Sequence, residues 1–156
     1  DFFNPGEREE YMSIIKENHL DPYVILHGRQ AGQMLDLLFE LCDFGIGSLG
    51  RHRSGITNIK TLKNREYAAR GIPFIYSEID EDFENMPYIM KIPANEEAVD
   101  IKQILNFYNQ LHITPLEIRN SIRHLSWNNQ MKKVLDEMQK KDKINPNNNN
   151  IANFAT

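Results

Sequence analysis

Gly71-Ile72-Pro73 is a stop signal, and the residues on either side of it constrain the fold more than any other stretch. Before it, residues 58–71 read NIKTLKNREYAARG, with Ile59, Leu62, Arg65, Glu66 and Ala69 recurring at steps of three and four. That spacing lays them on one face of a helix. Thr57 or Asn58 can cap its start, Gly71 suits the left-handed position past its last turn, and Pro73 forbids continuation. After the stop, Ile72-Pro73-Phe74-Ile75-Tyr76 is an apolar run of the kind found in strands buried on both faces. Ahead of the helix lies Ser48-Leu49-Gly50-Arg51-His52-Arg53-Ser54-Gly55, a loop with hinges and three basic groups. Strand, basic loop, helix and strand make one βαβ unit, whose loop side is where α/β proteins bind ligands. Glu66 lies on or beside the apolar stripe, where a carboxylate is costly unless it is paired.

The rest of the chain continues the alternation. Residues 7–18 predict an amphipathic helix with Tyr11, Ile14 and Ile15 on one face. Tyr23-Val24-Ile25-Leu26-His27, ended by Gly28, predicts a buried parallel strand, with His27 a hydrogen-bonded structural residue at its carboxyl end. Residues 30–42 predict a leucine-rich helix packed on a sheet, with Cys42 as a buried thiol. Residues 43–48 predict a strand whose Gly45 and Gly47 admit a close neighbour. Residues 78–84 carry five acids in seven positions but lack the central Gly and closing Glu of a calcium loop, so they read as a solvated loop. Residues 88–92 predict a further strand, and residues 96–108 a helix with Ile101, Ile104, Leu105 and Phe107 inward. Thr114-Pro115 and Ser126-Trp127 open two more helices. The fold class is therefore α/β, a Rossmann-like parallel sheet of three to five strands with helices on both faces. One domain spans residues 1–142, and residues 143–156 are expected to be a flexible Asn-rich tail.

Charge narrows the function. Residues 51–70 hold Arg51, Arg53, Lys60, Lys63, Arg65 and Arg70 against Glu66 alone, a local balance of +5 in a chain of net charge −4. A short basic island in an acidic chain does not make the broad surface that nucleic acid requires; it suits one compact anion. Lys60, Arg65 and Arg70 read as a solvated helix face. Arg51 and Arg53 do not, because a cation at a helix N-terminus is unfavourable unless an anion lies between. A single cysteine excludes an internal disulfide and fits a reducing compartment. No apolar run reaches the ~18 residues of a membrane span, and there is no signal-peptide pattern. Opening on Asp1 without an initiator Met, the sequence reads as a portion of something longer.

Lys63-Asn64-Arg65-Glu66-Tyr67-Ala68-Ala69-Arg70-Gly71-Ile72-Pro73 resembles the Lys-x-x-Glu-Tyr-x-Ala-x-Gly-x-Pro signature of the GT-B glycosyltransferases, the group 1 or family 4-like enzymes. Leu26-His27-Gly28, Cys42-Asp43-Phe44-Gly45-Ile46 and Ser126-Trp127 resemble flanking elements of the same carboxyl-terminal, nucleotide-sugar-binding lobe, so the likeness runs to about residue 140. The resemblance implies a retaining, metal-independent hexosyltransferase of polysaccharide biosynthesis. It would act in the cytoplasm, with possible peripheral contact at the inner membrane face. It would use a UDP- or GDP-sugar as substrate, without a cofactor, and a glycan or lipid-linked acceptor held by an amino-terminal domain missing here. By the same resemblance Glu66 accepts the ribose hydroxyls, while Arg51, Arg53, Gly55 and Lys63 receive the diphosphate with the helix N-terminus. Positive charge there stabilises the departing nucleotide diphosphate. Many members carry a second glutamate eight residues before the one matching Glu66. Here that position is Asn58, a neutral amide for the donor sugar. No catalytic residue is assigned, and the lobe alone is expected to turn over weakly or not at all. The alternative is a non-catalytic α/β interaction or regulatory module in which Glu66 pairs with Arg53 or Arg65. A receiver-type signalling domain would need acids at the end of an early strand, which Tyr23 to Gly28 does not offer.

Overall fold

The computed structural model of the chain describes residues 5–144; residues 145–156, most of the expected Asn-rich tail, lie outside the described residues. The chain divides into two compact units, one ending at Cys42 and one beginning at Asp43.

The first unit holds helix α1 (Pro5–Glu17) and helix α2 (Gly32–Glu40), and among its described residues no strand. Residues 23–27 correct the expected buried strand: Tyr23 is 83% exposed and Ile25 71%, without regular structure. An apolar run becomes a strand only where a ladder partner takes its N–H and C=O groups, and the described residues of this unit supply none. His27 ends no strand; its carbonyl accepts a bond from Gln30 Nε2 at 2.6 Å. In α1 the buried residue is Ile15, while Tyr11 and Ile14 are about half exposed. Helix α2 has no buried residue. Cys42, expected to be buried, falls two residues past the end of α2 and is exposed, its thiol donating to Leu38 O.

The second unit contains a three-stranded parallel sheet in the order β1 (Gly45–Ile46), β2 (Phe74–Tyr76), β3 (Ile89–Lys91). Around it come α3 (Leu62–Arg70), α4 (Ile101–Asn109), α5 (Pro115–Ser121) and α6 (Trp127–Ile144). The chain is thus α/β, with six α-helices among the described residues.

Helix α3 ends as its sequence dictates, with Gly71 at φ 79 donating to Ala68 O and Tyr67 O. Its start is a turn later than expected. Residues 58–61 are extended: Asn58 bridges to Ile79 in parallel, Ile59 N donates to Ile79 O, and Thr61 takes the cap by accepting from Asn64 N. Ile59, ahead of the helix, is buried in the core, but within α3 the buried residues are Asn64 and Ala68, and Leu62, Glu66 and Ala69 of the expected stripe are exposed. Gly45 and Gly47 do admit close neighbours: α3 at Gly45, and both β2 and α3 at Gly47. A Cβ on Gly45 would lie 2.8 Å from the Tyr67 ring, and one on Gly47 2.9 Å from Asn64 Oδ1. Tyr67 then donates its hydroxyl to Ile46 O at 3.1 Å.

The core is aromatic. Phe74 lies at its centre, its ring 5.5–6.3 Å from those of Tyr67, Tyr76, Phe83 and Tyr88, and Ile118 and Ile122 close the cluster. Offset and edge-on pairs at these separations add specific attraction to the area they bury. Helix α5 opens with the expected Thr114-Pro115, and Glu117 completes a capping box. Ser126 Oγ accepts from Asn129 N at the start of α6. Helix α4 corrects the expected start at residue 96. Asp100 is its cap, accepting from Lys102 N and Gln103 N, so the first turn begins at Ile101. Ile104 is buried and Phe107 half-buried beside Phe44, but Ile101 and Leu105 are more than half exposed.

Candidate functional site

All three strands run in the same direction, so the loops leaving their carboxyl ends emerge at one edge of the sheet. These are residues 47–56 after β1, 77–84 after β2 and 92–100 after β3. A backbone bond ties the first two together, Ser77 N donating to Ser48 O, and Gly47 N donates to Ile75 O of β2.

The basic loop forms one tight turn, Arg51–Ser54, closed by Gly55 at φ 68. Its floor is Glu78, only 2% exposed, whose Oε1 accepts from Arg51 N at 2.8 Å. Its wall is Glu96. Arg53 Nε donates to Glu96 Oε1 at 2.9 Å, Arg53 Nη2 donates to Oε2, and His52 Nε2 lies 2.7 Å from Oε1. The guanidinium meets the carboxylate as a fork on two oxygens, the strong geometry for such a pair. Arg53 first, and then His52, hold the Glu96 carboxyl down at about 2. Two buried polar atoms at the turn lack hydrogen-bond partners, His52 Nδ1 and Glu78 Oε2.

The acidic loop corrects the solvated reading. Asp80 and Phe83 are fully buried. Asp80 accepts from Arg65 at 3.1 and 3.3 Å and from Asn64 Nδ2 at 3.2 Å, and Arg65 also pairs with Asp82. Arg65 is thus not a solvated helix cation; Asn64 and Arg65 carry the inner face of α3 because these acids await them. Burial raises the Tyr76 hydroxyl pKa, and its bond to Glu84 raises it further. Burial alone would raise the Glu84 carboxyl, but Lys91 and Tyr76 outweigh it and the net shift is downward. Lys91 Nζ also donates to Glu78 O. Among the described residues no group of three or more His, Cys, Asp or Glu is placed to hold a metal ion.

Of the residues singled out from sequence, Arg51, Arg53 and Gly55 fall in the one turn at the sheet edge. Lys63 is exposed in the first turn of α3. Glu66 is exposed and accepts from Arg70 Nε at 2.6 Å, so its helix partner is Arg70 rather than Arg53 or Arg65. Asn58 is exposed, and its amide donates to Thr57 Oγ1 at 3.3 Å. The sequence reading missed Glu78 and Glu96. Asp100 ahead of Ile101 was the available sign that Glu96 precedes its helix, since Asp is a favoured cap. No helix of the described residues is long and apolar enough to cross a membrane. No protein-family model, curated protein or solved structure matches the chain.

Proposed function

We propose that the second unit is the nucleotide-sugar-binding part of a glycosyltransferase lobe of GT-B type, with the diphosphate received at the Arg51–Ser54 turn. The observation that carries this reading is the position of that turn. It follows the first strand of a parallel sheet at the carboxyl edge, where α/β proteins bind their ligands, and it presents Arg51, His52 and Arg53 together. Glu66 is accessible on α3, as a ribose ligand must be. Lys63 in the first turn of α3 adds positive charge, and the turn supports a leaving nucleotide diphosphate as charge builds on it. Glycan or lipid-linked acceptors, and the identity of the sugar, belong to the same proposal through a further domain.

The test is titration of the chain with UDP and with GDP while backbone amide resonances are followed. Shifts concentrated between Gly50 and Glu66 at millimolar nucleotide are expected; a spectrum unmoved there at that concentration refutes the assignment. The Glu66–Arg70 pair also suits the second reading, a non-catalytic module in which Glu66 only braces its helix. Glu66→Gln separates the two, weakening nucleotide binding in the first and leaving it unchanged in the second.

A further inference from the structure

The grip that Arg53 and His52 form is filled by a carboxylate from elsewhere in the same chain. Glu96 lies 43 residues beyond Arg53, on the loop after β3, and takes both basic side chains at once. A guanidinium offers a phosphate the same parallel donors that it offers a carboxylate, so the two compete for one fork. The turn is also poorly satisfied as it stands. His52 Nδ1 and Glu78 Oε2 are buried without partners, although native proteins pair nearly all such atoms. Each unmade bond of this kind is costly. Gly50 and Gly55 bracket the turn, and a Cβ on either would meet nothing within 4 Å, so no neighbour packs against its two ends there.

We propose that Glu96 is an internal latch: its carboxylate holds Arg53 and His52 in place of a polyanion, and a pyrophosphate group binds by displacing it. The Arg51–Ser54 turn then has two positions, one closed on Glu96 and one closed on the ligand. A pyrophosphate wins the exchange because it brings more negative charge and more acceptor oxygens than a single carboxylate. Its apparent affinity is reduced by the fraction of chains that are latched. Glu96 is accordingly a residue that opposes binding, set among residues that favour it. This inference rests on the reading of the turn as a diphosphate site.

The probe is inorganic pyrophosphate, titrated calorimetrically into the full chain and into Glu96→Gln, Arg53→Ala and the double variant. Glu96→Gln, which keeps the side-chain shape and removes the charge, is expected to bind about three- to fivefold more tightly, the scale of one exposed ion pair. Arg53→Ala should weaken binding, and adding Glu96→Gln to it should recover little. If Glu96→Gln binds equally or more weakly, Glu96 is a brace and the latch is wrong, while the diphosphate reading stands. If neither the unaltered chain nor Glu96→Gln binds pyrophosphate, both fall. A second measurement does not depend on variants. With carboxyl-labelled glutamate, the Glu96 resonance should move toward that of a solvated side chain as pyrophosphate saturates the protein, and a resonance that stays fixed overturns the displacement.

Discussion

Two glycines take the left-handed conformation for reasons that differ in cost. Gly55 at φ 68 ends the basic turn, and a Cβ there would meet nothing. Gly71 at φ 79 ends α3, and a Cβ there would lie 2.6 Å from Pro115 Cβ and from its carbonyl oxygen. Both positions penalise a side chain through the backbone, by about 1 kcal/mol. Only Gly71 adds a collision with backbone that cannot step aside. Gly55→Ala is therefore expected to cost about 1 kcal/mol of stability, and Gly71→Ala at least twice that. Paired urea unfolding curves check this, and equal costs would mean that the Pro115 contact yields. Gly71 was legible because its signal is local, a glycine and then a proline after a periodic run. Cys42 was not, because an apolar neighbourhood in sequence says little about burial once the helix ends before reaching it.

At the scale of elements, what the sequence showed and what it hid divide by the range of the interaction involved. The Thr114-Pro115 start of α5 and the end of α3 depend on residues within a turn of each other, and both were readable. The start of α3 depends on Asn58 pairing with Ile79, a partner beyond the helix itself, and local pattern misplaced it by a turn. The acidic loop shows the same limit. Five acids in seven positions suggest water, yet Asp80 is sealed beneath Arg65 and Asn64 and ties the loop to α3. Removing Asp80 leaves the buried Asn64 amide without its acceptor and Arg65 with Asp82 as its remaining carboxylate. Asp80→Ala is expected to cost about 3 kcal/mol, near the lower end for buried pairs because Arg65 keeps some access to water. Chemical denaturation measures it; a loss under 1 kcal/mol would show that Asp82 alone can hold Arg65. Asp80→Asn should fall between, since it keeps an acceptor for Asn64.

For the whole molecule, the sheet is small enough that its strands are not equivalent. Of three strands only β2 has a neighbour on each side, and its residues are all buried. Local opening frees the least connected elements first. Amide hydrogen exchange should therefore be slowest at Phe74, Ile75 and Tyr76 and fast through residues 23–28, where the apolar run has no ladder. Protection spread evenly across all three strands would contradict this. The fold class was readable because alternation of runs and helices survives errors at individual boundaries. Strand number was not, because a run such as residues 23–27 carries the same letters whether or not a partner awaits it.

The loops that form the candidate site leave from three strands that all depend on β2. Remove Phe74–Tyr76 and β1 and β3 have nothing to pair with, so the anchor points of the Arg51 turn, the acidic loop and the Glu96 loop separate together. The recognition surface has no foundation apart from the keystone of the fold. An anion clasped far out on the Arg51 turn should therefore register at Ile75 as slower proton loss, although nothing touches it there.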